Sequence, residues 1–419
     1  MINKKKQNLP LPLKILRRLF ISCFDFLLIP LYYLIKFFPR DKNLWIFGAW
    51  FGQRYSDNSR AFFEFVNKNH PEIKALWVSI NKDIVKTLQN KGFNSCTSTS
   101  LKFLLYALRA GKVFTSTGGE FNLFFLHGCE YYGLWHGMPL KKILNDDTNF
   151  GGEAANNKFR KKCSKMLFKI FPWKDFRSQK RLYTVTNSDF FIPFLASAFG
   201  LPQEKILKTG SPRTDNIFNY KKEKLIEEIR VKFPNDKIIL YMPTFRTAEW
   251  TGEVFNPFDS KYGFDLDEFL ETLTRHKSVL VYKPHFSDAR FMQTVRQKTP
   301  ENISRFITVN DSDYYELYNF IGQVDILMTD YSSIYFDFIA TKKPVILLPF
   351  DYEFYIKYAR GHYFDYWKNM EGAKAKNWQE FYKILEEKSY APVNEETCKK
   401  FAEYVDGNAC ERLWNTIGK

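Results

Sequence analysis

The sequence predicts an α/β protein of two domains, each a parallel sheet with helices on both faces. Three observations carry that expectation. A chain of 419 residues is too long for one ordinary core, so two domains of roughly 150 to 200 residues are expected. From Asn43 onward, short apolar runs alternate with helically spaced stretches, the order of Rossmann-like units. The stretch Asp325 to Asp337 reads as a buried strand, a Thr-Asp-Tyr-Ser-Ser turn and a helix, and Lys343-Pro344 leads into a second buried strand from Val345 to Leu348. The expected divisions are a basic, apolar segment over 1–40, a first sheet domain over 41–205, a second over 206–395 and a C-terminal helix over 396–419.

Composition sets the partner class. Apolar residues make up 45% of the chain and aromatic residues 18%, as suits a globular protein. Lysine and arginine total 62 against 46 acids, a formal charge of +16, which favours a polyanionic partner. The basic residues are spread along the chain and form no nucleic-acid-binding module, which leaves an anionic membrane surface or phosphorylated substrates. Six cysteines, Cys23, Cys96, Cys129, Cys163, Cys398 and Cys410, show no paired metal spacing and are expected as reduced thiols.

At the N-terminus, Lys4-Lys5-Lys6 and Arg17-Arg18 precede an apolar run from Leu19 to Ile35 that carries Phe20, Phe24, Phe26, Tyr32 and Tyr33. A spanning helix needs about 20 apolar residues; this run is shorter, contains Asp25 and is expected to break at Pro30. No small-residue cleavage site follows it. Cationic flanks and aromatic residues suit a helix lying in the cytoplasmic membrane interface. The alternative is a helix docked on the first domain.

In the first domain, strands are expected at Leu44 to Phe47, Ala75 to Ile80, Lys112 to Thr117, the apolar run Tyr131 to Trp135, and Tyr183 to Thr186. Helices are expected over Arg60 to Asn67, capped from Asp57-Asn58-Ser59, and near Asp83 to Gln89, Leu101 to Ala110 and Asp189 to Phe199. His136, then Gly137, Pro139, Lys141 and Lys142, follows a strand's carboxyl end, where such sheets present ligand groups. Its near-neutral pKa suits a base for an attacking hydroxyl, and Lys141 or Lys142 could hold a phosphate. Nothing around His70, His127 or His276 adds to a structural role.

The domain junction is expected between Gly200 and Lys221, which makes Arg213 a cleft residue. In the second domain, the strand Lys237 to Met242 ends in Pro243-Thr244-Phe245-Arg246, and Val279 to Tyr282 ends in Lys283-Pro284-His285-Phe286. A helix near Asp313 to Ile321 precedes the unit around Ser332-Ser333, where either serine can cap the helix, and the two hydroxyls with free backbone N–H groups suit an anion. An aromatic loop from Phe350 to Trp367 follows, with Asp351, Glu353, Arg360, Gly361 and His362. A base, several cations and an anion-holding turn suit transfer of a phosphate-linked group from a nucleotide to a hydroxyl. No Walker loop or GxGxxG follows a strand, which disfavours ATPase and dehydrogenase chemistry.

Six stretches in order, Trp135 to Lys142, Gly210 to Asp215, Tyr241 to Arg246, Lys283-Pro284-His285, Thr329 to Ser333 and Arg360 to Asp365, resemble the motifs of the CDP-glycerol glycerophosphotransferase family, the teichoic-acid primases and polymerases with related capsule enzymes. The resemblance implies a GT-B-like pair of Rossmann domains working at the inner membrane face on a lipid-linked acceptor. It implies that His136 and His285 are the essential histidines, and that Ser332 and Ser333, with Arg246 and Arg213, contact the donor pyrophosphate. His136 is assigned as base because its domain is expected to face the acceptor, and His285 goes to the donor phosphates or the departing nucleotide. Asp330 is expected either to orient a histidine or to hold the turn, Lys141 to give support, and Glu353 to touch the donor ribose.

Met138 stands where the family commonly has Thr, Lys283 where Arg is common, Phe286 where Pro is common and Thr247 where Asp often follows the arginine. The lysine keeps the charge and loses arginine's bidentate fork. The expected donor is a CDP-activated polyol phosphate, with CMP released. No metal is demanded by the acidic residues, although a divalent ion could accompany the pyrophosphate. Two other readings are an inverting glycosyltransferase of the same architecture using a nucleotide sugar, and a non-catalytic membrane-surface scaffold.

Overall fold

The apolar runs become the strands of two separate parallel sheets. The computed structural model describes residues 25–147, 166–244, 246, 255–284, 305–310 and 316–418. The first sheet contains β1 (Asp41–Phe47), β2 (Lys74–Ser79), β3 (Ser95–Thr97), β4 (Ala110–Thr115), β5 (Glu130–Gly133), β6 (Leu182–Val185) and β7 (Ile206–Leu207), in the order β3-β2-β1-β4-β5-β6-β7. The second contains β8 (Lys237–Met242), β9 (Ser278–Tyr282), β10 (Phe306–Thr308), β11 (Ile326–Thr329), β12 (Val345–Leu347) and β13 (Ala373–Lys374), in the order β10-β9-β8-β11-β12-β13. Every pairing is parallel. In each sheet the order reverses beside its first strand, the position at which doubly wound folds open a ligand crevice.

Helix Asp57–Asn69 shows how the core forms. It buries Phe62, Phe63 and Val66 on one side, against Trp45, Phe47 and Phe114 of the sheet. Phe47, Phe114 and Tyr132 stack in sequence across β1, β4 and β5, with centroids 4.7 Å and 5.0 Å apart. Each such fully buried ring contributes about 1.5–3 kcal/mol. The expected cap from Asp57-Asn58-Ser59 is displaced: Ser56 holds the N-cap position without a side-chain bond, and the three polar residues turn inward for other partners.

Several expectations shift. β7 still pairs with β6, so the first sheet runs two residues beyond the expected boundary at 205. The region expected as one C-terminal helix is two, Glu395–Ala402 and Ala409–Ile417. The second returns to the first domain: Cys410, Leu413 and Ile417 are buried with Trp45 and Val185, and Asp215 accepts the N–H groups of Ala409 and Cys410 at 2.7 Å and 2.8 Å. Of the helix expected near Asp313 to Ile321, residues 313–315 lie outside the described residues, and the described helix is Leu317–Gln323.

Of the N-terminal segment, residues 1–24 lie outside the described residues. Residues 25–35 form a helix that continues through Pro30 where a break was expected. Pro30 is on the exposed side, where solvent can replace the lost backbone bond. The opposite side docks on the first domain through Tyr32 and Ile35, with Tyr32 packed 4.1 Å from the His127 ring, while Asp25 pairs with Lys174. Among the described residues no helix is long and apolar enough to cross a membrane.

A buried ion network joins the two domains. Arg213 gives one Nη to Asp57 at 2.7 Å and the other to Asp337 at 2.8 Å, and its backbone N–H donates to Asn58 Oδ1 at 3.1 Å. Asp337 also accepts from Asn187 Nδ2 (2.9 Å) and the Tyr318 hydroxyl (2.7 Å). Arg60 adds a second crossing to Glu316 at 2.7 Å. Removing one member strands a desolvated guanidinium, so Asp337→Ala is expected to lower unfolding free energy by about 3–5 kcal/mol, measured as a fall in the urea midpoint.

Candidate active site

The carboxyl ends of β1 and β5 face those of β8, β9 and β11 across a cleft of about 960 Å³. Trp50, His136, Gly137 and Lys141 line it from the first domain, and Thr244, Lys283, Ser332 and Ser333 from the second. Arg213 and Arg360 also reach its wall.

His136 follows β5 after Trp135, whose backbone is left-handed at φ 58°. A bulky residue holds that conformation at a cost of about 1–3 kcal/mol, and such strain concentrates at functional turns. The imidazole packs 4.2 Å from the Trp135 ring and 5.3 Å from that of Trp50. Its Nδ1 lies 3.0 Å from the Ser116 carbonyl oxygen. A carbonyl only accepts, so the proton sits on Nδ1 and Nε2 keeps its lone pair. Burial lowers the His136 pKa; Asp57 and the Ser116 bond oppose this, while Arg213 and Arg360 reinforce it. The ring is therefore a neutral base near pH 7.

Ser116 is itself held by Glu120, a carboxylate 2% exposed. Its Oε1 accepts the backbone N–H of Ser116 (3.0 Å) and Thr117 (2.6 Å) and the Thr117 hydroxyl (2.8 Å). Asn58 supports the same region by donating to the carbonyls of Leu134 and Trp135 at 3.0 Å and 2.9 Å.

Gly137, next to the base, meets the second domain. Its φ is 142°, and a Cβ there would lie 2.4 Å from Ser333 Oγ and 3.2 Å from Arg213 Nη2. Only glycine allows this approach. Ser333 holds the N-cap position of the short helix Ile334–Phe338 without a side-chain cap bond, and Ser332 Oγ accepts the Ile334 N–H at a long 3.5 Å. Capping therefore accounts for little of this pair, and both hydroxyls stand at the cleft.

The cations divide into two kinds. Arg246 gives Nε and Nη2 to Asp351 at 2.8 Å and 2.7 Å, and Nη1 to Asp330 and the Thr244 carbonyl, both at 2.6 Å. It lies behind the cleft-lining residues, where a phosphate contact had been expected, because two carboxylates distant in sequence fold against it. Asp330 also accepts the Thr244 N–H at 2.8 Å and so holds the turn. Arg213 does reach the wall, with both Nη groups committed to carboxylates. Lys141 differs: among the described residues its ammonium has no ion-pair partner. Burial, then Arg360, lowers its pKa to about 7.

Lys141 sits where the domains meet as strands. Lys142 N–H donates to the Gly361 carbonyl and Tyr363 N–H to the Leu140 carbonyl, each at 2.8 Å, an antiparallel bridge between Lys141 and His362. Burial, then the Lys141 charge, lowers the His362 pKa to about 3, so that ring is neutral. Glu353 is exposed on helix Tyr352–Tyr358, away from the cleft wall. His285, Phe286 and Thr247 lie outside the described residues. Among the described residues no three His, Cys, Asp or Glu side chains group as metal ligands.

The model of the family described as CDP-Glycerol:Poly(glycerophosphate) glycerophosphotransferase matches residues 31–419. The chain belongs to that glycerophosphotransferase family. It is 27% identical over 388 residues to the teichoic acid glycerol-phosphate transferase of Staphylococcus aureus, covering 90% of this chain and 94% of that protein. It is 26% identical over 396 residues to the teichoic acid poly(glycerol phosphate) polymerase of Bacillus subtilis, covering 91% of this chain. The chain spans about half, 49%, of that polymerase's length. The structure of the wall teichoic acid polymerase TagF superposes with a TM-score of 0.69 at 21% identity, over 97% of this chain and 96% of that one, and shares its fold.

This glycerophosphotransferase-family site contains residues that sequence reasoning missed: Trp50, Asp57, Glu120 and Tyr318. Asp57 had been read only as a cap. Glu120 had a usable signal, since Gly118-Gly119-Glu120 directly follows a strand and Gly118 adopts φ 87°. Glu120→Ala would leave the buried Ser116 N–H and the half-buried Thr117 N–H without this acceptor and is expected to cost about 1–3 kcal/mol, seen in thermal or urea unfolding. Glu120→Gln, which keeps an acceptor oxygen, should recover most of that loss.

Proposed function

We propose that this protein transfers a polyol phosphate, glycerol phosphate in the first instance, from a CDP-activated donor to a hydroxyl of a lipid-linked acceptor in teichoic-acid or capsule-type polymer synthesis. The observation that carries this is the closure at Gly137: the neutral base of one domain stands one residue from the Ser333 hydroxyl of the other. Family membership supports the donor class.

In this reading the acceptor hydroxyl gives its proton to His136 Nε2 as its oxygen attacks the polyol-bearing phosphorus. A new P–O bond forms, the bridging P–O bond breaks, and CMP leaves with the electron pair. Ser332 and Ser333 hydrogen-bond the phosphates, and Lys141 offsets the charge that builds on the leaving group. Arg213 and Arg246 act through the carboxylates they fix, and Arg213 also presents a guanidinium edge to the same phosphates. His285 is assigned to the donor phosphates or the departing CMP.

The same reading places the protein on the cytoplasmic face of the membrane. Leu27, Leu31 and Leu34 form one helical stripe, respectively 76%, 47% and 57% exposed, and Phe37 and Phe38 just past the helix are 73% and 46% exposed. This face suits insertion among lipid headgroups, next to a chain of net charge +16. Leu27→Glu with Leu34→Glu is expected to reduce sedimentation with anionic vesicles while leaving the unfolding midpoint in place.

CMP release should be measured with membranes or a synthetic lipid acceptor, using CDP-glycerol, CDP-ribitol and a panel of nucleotide sugars in parallel. CMP from a CDP-polyol, reduced at least about 100-fold in His136→Ala, is the expected result. Turnover of a nucleotide sugar alone would instead favour the glycosyltransferase reading. Because protonation removes the base, turnover should decline on the acid side, below the ordinary histidine range.

Lys141 gives an opposite dependence. A phosphate beside it raises its pKa from about 7, so donor binding takes up a proton. Affinity for CDP-glycerol by calorimetry should therefore weaken as pH rises through that value, and Lys141→Met should flatten the slope.

A further inference from the structure

Where the two domains meet as short strands, one side chain has no task in the reaction so far. The bonds from Lys142 N–H to the Gly361 carbonyl and from Tyr363 N–H to the Leu140 carbonyl flank Lys141 and His362 rather than joining them. This is the non-hydrogen-bonded position of an antiparallel bridge, where facing Cα atoms come within about 4.5 Å and the two side chains leave on the same side. The Lys141 charge is accordingly the second cause, after burial, of the lowered His362 pKa. Lys141 lines the cleft and His362 does not, so the ring stands behind the lysine as seen from the cleft.

The ring is held firmly. Tyr331, Tyr352, Tyr355 and Tyr366 surround it, with ring centroids 5.8 Å, 5.9 Å, 6.3 Å and 6.1 Å away. Its Nδ1 and Nε2 are both buried, and neither has a hydrogen-bond partner among the described residues. A neutral imidazole carries one N–H and one lone pair, and native structures rarely bury both unmet without a functional reason. Phenylalanine would fill the same tyrosine cage without that penalty.

The needs of Lys141 supply such a reason. Arg213 and Arg246 are each fixed by two carboxylates, which also offset their charge. Lys141 feels two cations, Arg360 and Arg246, and one acid, Asp330, and no carboxylate pairs with it among the described residues. A neutral acceptor orients such a cation and leaves its charge intact. An ammonium has three N–H groups, so one taken from behind leaves two for a phosphate in front.

We propose that His362 is a positioning residue for the transfer: its unprotonated ring nitrogen accepts one N–H of the Lys141 ammonium and aims the other two at the donor phosphates. The inference deepens the phosphotransferase reading and rests on it. His362 touches no reacting atom and acts only through Lys141.

The test is a double-mutant cycle on the full chain, with CDP-glycerol affinity measured by calorimetry and stability by the urea midpoint. His362→Phe keeps a ring among the tyrosines and removes both nitrogens. It is expected to weaken CDP-glycerol binding about fivefold to tenfold while the midpoint stays level or rises. His362→Gln, which keeps an acceptor oxygen, should recover most of the lost affinity. In a Lys141→Met background His362→Phe should have no further effect on affinity, because no ammonium is left to aim. Wild-type affinity in His362→Phe would overturn the assignment, as would an equal loss with and without Lys141. Affinity and midpoint falling together in His362→Phe, unrelieved in His362→Gln, would place the ring in the packing alone and overturn it too. A wild-type protein that neither binds CDP-glycerol nor releases CMP from it would instead overturn the phosphotransferase reading beneath.

Discussion

The arrangement depends on one buried arginine. Arg213 is held between Asp57, at the start of the helix that covers the first sheet, and Asp337, in the helix after the Ser332-Ser333 turn. Burial works against its charge, and Asp57, Tyr318 and Asp337 more than offset that, leaving it firmly protonated. Desolvated ion pairs of this kind contribute modest net stability and strong geometric preference. Here the preference sets the distance between base and anion side, because Asp57 also holds Trp50 while Asn58 holds the strand end before His136. A shift of Arg213 would therefore disturb the His136 side and the serine side of the cleft together.

A parallel logic governs the second domain. Arg246, inside its Asp330 and Asp351 pairs and against the rings of Phe255 and Tyr331, anchors the ends of β8 and β11 to the aromatic loop beyond β12. That anchoring sets the position of the two serines, which follow Asp330 by two and three residues. Each domain thus spends a buried arginine on holding shape, while Lys141 reaches the cleft with no ion-pair partner among the described residues. The division is chemically reasonable. A guanidinium suits permanent bidentate pairing with carboxylates, whereas a desolvated ammonium can gain a proton as an anion arrives.

The sequence made the framework legible because parallel strands buried on both faces read as apolar runs. β8 falls at its expected limits, and β1, β2, β9 and β11 fall within a few residues of theirs. β3, β10 and β13, of two or three residues each, carry too little pattern to be read before folding. The site was legible where chemistry follows a strand end, as at His136, Lys141 and Ser332-Ser333. It was not legible where function depends on which charges meet. Arg213 and Asp57 are 156 residues apart, and Arg246 and Asp351 are 105 apart. The family resemblance gave both arginines the same expected role, and the folded chain puts Arg213 on the cleft wall and Arg246 behind it.

Glu120 extends that lesson to the base. Through Ser116 it fixes the tautomer of His136, and through Thr117 it supports the backbone of Phe51. One carboxylate, buried and with a raised pKa, therefore supports two neighbouring elements of the cleft wall, the His136 ring and the backbone at Phe51. Its desolvation is offset by three hydrogen bonds to a single oxygen, a concentration that makes sense only if the geometry of the 116–117 turn matters more than the cost of burying the group. The strain at Trp50, Phe51 and Trp135 fits the same account, since rigid neighbours that tolerate unfavourable backbone angles are what keep a weak neutral base aimed at one place.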